Sequence, residues 1–183
     1  MTQLIHTFDD VCINTNGTLI ICDIDDTLFR YERNLNYFYN NLKHAFPELT
    51  EEELQHHSAL VYATYVKNRK PTATDHEGFI RLMKRVMETK GKLIFLTSRN
   101  DCSVEYTTLE FKSIGLSYSF FNVFYTNNEI SKGDYIVNHI DMDGHEKLII
   151  IDDQVNNLKS IHKSYPQCEC YRFEYQNIND IKS

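Results

Sequence analysis

The residues able to do chemistry gather in short polar stretches that follow apolar runs. The densest is LIICDIDDTLF, residues 19–29, where Asp23, Asp25 and Asp26 fall within four residues at the end of what reads as a buried strand. Carboxylates this close raise one another's pKa and destabilise a fold unless a cation or a proton offsets them, so a bound metal or a catalytic role explains them. A solvated, Asp-rich turn is the alternative, because Asp is a common turn residue. Three further features favour the first reading. LIFLTSR (93–99) ends in Thr97, Ser98 and Arg99, whose hydroxyls and guanidinium suit a phosphate; LIIIDDQ (148–154) ends in Asp152 and Asp153; Lys132 lies between the two in sequence. In an open parallel sheet, ligands bind at the carboxyl ends of the strands, beside the point where strand order reverses.

Such a site needs elements to hold it, and the periodicity supplies them. Strands are expected at 18–24, 92–97, 121–126, 148–152 and 168–173, alternating with helical spacing, which is the signature of a parallel sheet covered by helices. Ser103 can cap a helix carrying Val104, Thr108 and Phe111 that stops at Gly115; Tyr135, Ile136 and Ile140 form a second stripe, and Val155, Leu158 and Ile161 a third. Between Ile24 and Lys92 lie 67 residues, where a single crossover needs about 20 to 25. An insert at about 31–74 accounts for the excess. Its first helix would present Leu35, Phe38, Leu42 and Ala45; its second opens with the capping box Thr50-x-x-Glu53 and presents Leu54, Val61 and Tyr65. The crossover helix proper starts after Thr74 or Asp75, carries Phe79, Leu82, Met83 and Val86, and ends at Gly91.

Taken in order, Asp23-Ile-Asp25-Asp26-Thr27, Thr97, Lys132, and Asp152-Asp153 with Asn157 resemble the four motifs of the haloacid dehalogenase (HAD) superfamily. The stretches 8–29, 124–135 and 149–165 are further similar to a branch of that superfamily known mainly as a domain of unknown function. The resemblance implies a Rossmann-like three-layer α/β/α core (1–30 and 75–183) with sheet order 5-4-1-2-3, a turn-and-flap at about 28–33, and a small helical cap (31–74) after the first strand. It also implies phosphoryl transfer to Asp23, with Asp25 protonating the leaving oxygen and then taking the proton from the attacking water. An ordinary Asp pKa of about 3.9 is too low for that acid, so neighbouring carboxylates and partial burial are expected to raise it. Mg²⁺ would be held by the Asp23 and Asp152 carboxylates and the Asp25 carbonyl; Thr97 would bond a phosphoryl oxygen, with Lys132 neutralising developing charge. Asp153 is either a second metal contact or, the preferred assignment, a partner of Lys132 one layer out; Asn157 too is placed one layer out from the metal ligands. Ser98 and Arg99 could bind substrate, although a surface ion pair suits Arg99 equally.

The expected activity is that of a Mg²⁺-dependent phosphatase acting on a small or medium phosphomonoester. A phosphomutase or phosphotransferase shares the aspartyl-phosphate step, and a catalytically weak interaction or regulatory protein is the alternative from another class. A dehalogenase would not need Asp25. A phosphorylatable receiver domain places its acidic pair first, whereas here the DD pair comes last.

Composition narrows the partners. The 183 residues are 42% hydrophobic and 25% charged with only 6 Gly and 3 Pro, which excludes collagen-like and disordered classes. A net charge of -7 argues against nucleic acid and against an anionic membrane surface, leaving a small phosphorylated molecule as the expected partner. No run approaches a membrane span, and MTQLIHTFDDVC lacks the regions of a signal peptide, so a cytoplasmic location is expected. No motif speaks to oligomeric state. Five scattered cysteines (Cys12, Cys22, Cys102, Cys168, Cys170) read as free thiols, and Cys168-x-Cys170, on one strand face, has no second ligand pair nearby in sequence. Lys67, Arg69 and Lys70 read as a solvated face, and His56 and His57 as surface residues.

Overall fold

The computed structural model describes residues 2–176. In chain order its elements are β1 (Thr2–Ile5), β2 (Thr18–Cys22), β3 (Phe29–Arg30), α1 (Leu35–Ala45), α2 (Glu51–Lys67), β4 (Thr72–Ala73), α3 (His76–Glu88), β5 (Lys92–Thr97), α4 (Val104–Ser113), β6 (Asn122–Tyr125), α5 (Lys132–His139), β7 (Lys147–Asp152), α6 (Val155–Ser164) and β8 (Glu169–Phe173). Six strands form one sheet in the order β1-β8-β7-β2-β5-β6, and each pairing along it is parallel. This is a mixed, Rossmann-like α/β fold.

Alternation along the strands divides the core between the two sheet faces. Ile20, Cys22, Phe95, Ile149 and Ile151 meet Phe79, Leu82 and Val86 of α3 and Phe111 of α4. Leu19, Ile21, Ile94, Ile150, Cys168 and Cys170 meet Ile136 of α5 and Leu158 and Ile161 of α6. β2 is buried at every position, as a central parallel strand covered on both faces must be. Helix α3 is capped by Asp75, which accepts from the Gly78 amide at 3.0 Å and also from Phe8 N at 2.9 Å, tying the amino-terminal segment to the crossover.

Several elements depart from the sequence reading. β1 is an additional edge strand; only Ile5 of its four residues is buried, so it has no apolar run to announce it. β3 and β4 pair antiparallel through two residues each, too few for a periodic signal, and close the base of the inserted helices. Ser103 makes no capping bond with its side chain, and a 3-10 turn leads into α4 instead. The buried face of α4 is Thr107, Glu110 and Phe111 rather than 104/108/111, because it packs on a polar group described below.

The inserted helices α1 and α2 pack on one another but are thinly attached. No residue of α1 is buried, and α2 buries only Leu54 and Ser58. Leu35 and Val61, expected to face inward, are exposed. The inner face is instead aromatic: Phe38 lies 5.1 Å from Tyr65 and 6.1 Å from Tyr62 by ring centroids, and Tyr31 approaches both tyrosines edge-on. The capping box of α2 is formed, with Thr50 N donating to Glu53 Oε2 at 2.9 Å.

Candidate active site

The chain leaves β2 with Asp23 still in register, its amide donating to Ile151 O at 2.8 Å. It then turns sharply: Leu28 N and Phe29 N both donate to Ile24 O at 2.9 Å. Asp26 takes the left-handed conformation the turn needs, at φ 57, which Asp tolerates better than most residues. Thr27 is fully buried, and its hydroxyl accepts from Asp153 N at 3.1 Å, so the turn after β2 is bolted to the end of β7.

Into this junction α5 delivers Lys132. Ser131 caps the helix by accepting from Asp134 N at 3.1 Å, and Gly133 N bonds Ser160 Oγ at 3.0 Å. A Cβ on Gly133 would collide with the Ser160 backbone, so only glycine lets α5 approach α6 this closely. Lys132, 3% exposed, donates to Asp23 Oδ1 and to Asp152 Oδ2, the latter at 2.7 Å. Asp152 is further held by Gln154 N at 2.8 Å and by Asn157 Nδ2 at 3.1 Å. Asp153 makes no bond to Lys132, contrary to the assignment preferred from sequence. One of its carboxylate oxygens lies instead within 4.8 Å of oxygens on Asp23 and Asp152.

The electrostatics follow from burial and neighbours. Burial pushes the Asp23 carboxyl well above the ordinary range, Asp152, Asp153 and Asp25 add to it, and Lys132 opposes it. For Lys132, burial would depress the ammonium, but Asp152 and Asp23 outweigh it and hold the charge. Burial raises Asp26 to about 6, with help from Asp25, and Asp153 to about 7, with help from Asp152 and Asp26. Lys132 pairs with Asp23 and Asp152, and Arg99 pairs with Asp25 and Glu110, which leaves the carboxylates of Asp26 and Asp153 without a buried cation of their own among the described residues. The all-oxygen donor set of Asp23, Asp152 and Asp153 suits a hard divalent ion such as Mg²⁺.

Asp25 behaves differently from the expectation of a raised pKa. Burial does push it up, but the Arg99 guanidinium outweighs burial and holds it below its ordinary value. Arg99 Nε donates to Asp25 Oδ2 at 2.8 Å and Nη2 to Oδ1 at 2.7 Å. Its remaining donors reach Thr107 Oγ1 at 3.0 Å and the Glu110 carboxylate. Arg99 thus makes a buried ion pair and not the surface pair offered from sequence; its side chain is 11% exposed. Glu110 in turn accepts from Tyr31 OH, which meets Tyr106 OH, which donates to Val66 O in α2. The network joins Asp25 to the inserted helices. Glu110, Thr107, Tyr31 and Tyr106 carry no sequence signal: in VEYTTLEF a glutamate reads as solvent-facing.

Thr97 is fully buried at the end of β5, beside Asp25, and accepts from Arg99 N at 3.2 Å. Ser98 is half-buried at the same edge. The four stretches singled out in the sequence therefore do meet. A cavity of about 660 Å³ adjoins them, touching Asp26 and Asp153 and bounded by Arg30, Asn34, Arg172 and Tyr175. Arg30 stacks on the Tyr175 ring at 3.9 Å.

No family model matches the chain, and no curated protein matches it. A chain in the solved structure of the Pnkp1/Rnl/Hen1 complex is similar at 16% identity, over 91% of this chain and 49% of that one, with a TM-score of 0.48. This chain spans about half the length of that one. Among the described residues no helix is long and apolar enough to cross a membrane. Lys67, Arg69 and Lys70 are exposed, as are His56 and His57.

Proposed function

We infer that this chain is a HAD-type phosphatase with a small helical cap, acting on a small or medium phosphomonoester. The observation that carries the reading is the buried junction in which Lys132 bonds both Asp23 and Asp152 at the carboxyl ends of adjacent parallel strands. A nucleophilic carboxylate needs a fixed orientation and a nearby cation, and Asp23 has both. Mg²⁺, held by Asp23, Asp152 and the Asp25 carbonyl, with Asp153 at hand, would neutralise the site's excess negative charge and make it compatible with a phosphate.

The residues then divide the work. Asp23 Oδ2, which Lys132 leaves free, attacks phosphorus, and the bond to the leaving oxygen breaks. Thr97 and Lys132 bind the phosphoryl oxygens as charge shifts onto them. Water attacks the resulting aspartyl phosphate and gives its proton to Asp25 as the bond from phosphorus to the Asp23 oxygen breaks, which releases inorganic phosphate and regenerates the Asp23 carboxylate. Asp25 in its Arg99 clamp is ionised, the correct state for that second step. Protonating the first leaving group requires Arg99 to let go, so esters with weakly basic leaving groups should react fastest.

A second reading, an interaction or regulatory protein with little turnover, draws on the same clamp, because it occupies both oxygens of Asp25. Transfer to a hydroxyl acceptor instead of water would use the same aspartyl-phosphate step. Turnover of a panel of phosphomonoesters and acyl phosphates, with Mg²⁺, with EDTA, and by Asp23→Asn, decides between turnover and its absence. Mg²⁺-dependent release of phosphate by the wild type alone supports the phosphatase. Equal rates for wild type and a folded, metal-binding Asp23→Asn on every compound would end that reading.

A further inference from the structure

The opposite end of α6 carries a second constellation that the carboxylate site does not use. Cys170 in β8 and Cys168 directly before the strand point to the same side, both buried, with their sulfurs 3.4 Å apart. The connection from α6 to β8 is tight: Tyr165 N bonds Ile161 O at 2.8 Å and Cys168 N bonds Tyr165 O at 3.0 Å. This reversal brings His162, in the last turn of α6, back over the cysteines, with Nδ1 3.9 Å from Cys168 Sγ. One atom from each of the three residues lies within 4.8 Å of the others.

We propose that His162, Cys168 and Cys170 form a site for a thiophilic d¹⁰ cation, Zn²⁺, which clamps the end of α6 to β8. The spacing suits it: with Zn–S about 2.3 Å and Zn–N about 2.0 Å, a tetrahedral ion sets its sulfurs about 3.8 Å apart and sulfur to nitrogen about 3.5 Å. The Cys168–Cys170 and Cys168–His162 separations lie within about 0.4 Å of these values, and Cys170 Sγ lies within 4.8 Å of a His162 ring nitrogen, so side-chain rotation of His162 would close the site. Two thiolates balance a divalent charge, and the soft donor set excludes Mg²⁺. His162 is partly exposed while both thiols are buried, so a fourth position would be open to solvent and to a water.

The two sulfurs lie within hydrogen-bonding distance of one another, and either can donate. A bound cation would displace the thiol protons to solvent. The third ligand escaped the sequence reading because His162 belongs to a different element, six residues upstream.

The test uses the full chain, stripped with a chelator, kept reduced with a phosphine, and supplied with excess Mg²⁺ to occupy the carboxylates. Titration with Co²⁺ should give one equivalent with thiolate-to-cobalt charge-transfer absorption and tetrahedral d–d bands, and Zn²⁺ should bleach both. Cys168→Ser/Cys170→Ser should abolish the charge-transfer bands. His162→Gln, at a partly exposed position that leaves the core intact, should weaken Zn²⁺ binding roughly tenfold or more. Absence of charge-transfer absorption in the wild type, or the same Zn²⁺ affinity for wild type and His162→Gln, overturns the proposal. If the double serine variant fails to fold, the histidine variant decides alone.

Discussion

Arg99 grips both carboxylate oxygens of Asp25, through Nε at 2.8 Å and Nη2 at 2.7 Å, while its other face is held by Glu110 and Thr107. One cation therefore links the turn after β2 to α4. Arg99→Met should leave Glu110 buried and unpaired, at a cost of about 3 to 5 kcal/mol in denaturant unfolding. Adding Glu110→Gln should recover part of that loss. If the double variant is as unstable as the single one, the loss is one of packing and not of charge.

Lys132 makes the stronger claim on function, since among the described residues it alone bonds both Asp23 and Asp152. Lys132→Met should lower kcat by about 10² to 10³. It should also make the metal-free chain less stable than wild type, and Mg²⁺ should restore more of the difference than it adds to wild type. Steady-state kinetics with thermal melts at several Mg²⁺ concentrations would show both effects.

Asn157 donates to both oxygens of Asp152, at 3.1 and 3.2 Å. On the proposed reading it orients a metal ligand without being one. Asn157→Ala should weaken Mg²⁺ binding by about 10 to 100-fold and leave the fold intact, as titration calorimetry would show.

The pH dependence has a definite sign. A carboxyl raised in the folded chain favours folding below its unfolded value and withdraws that contribution as pH rises through its folded value. Asp26 and Asp153 rise from 3.8 to about 6 and about 7, with Asp23 also raised, so the metal-free protein should lose stability between pH 4 and about 7. Asp25 runs the other way, contributing above its unfolded value and losing the contribution at lower pH. Melts across this window in EDTA should fall with pH, and Mg²⁺ should flatten or reverse the slope.

Tyr31 is the hinge between the core and the inserted helices, through its contacts with Glu110 and Tyr106. Tyr31→Phe strips a buried hydroxyl from two partners and should cost about 1 to 3 kcal/mol. Hydrogen exchange should rise in α1 and α2 while the amides of β2 and β7 stay protected, because so little else buries the insert.

What the sequence determined by itself is the local part of this molecule. Apolar runs ending in Asp23, Thr97 and Asp152, with Lys132 at a helix start, are properties of contiguous residues. A parallel sheet necessarily brings strand ends of this kind to one edge. The capping box at Thr50 and the helical insert were legible for the same reason. Tertiary structure alone decided the destination of Arg99, the identity of Glu110 as a buried acid, and the pairing of His162 with Cys168 and Cys170. Each depends on which face of a helix meets a neighbour far away or around a turn. A charged side chain goes inward only when a partner waits there, and that partner cannot be read from the residue's own surroundings in the chain.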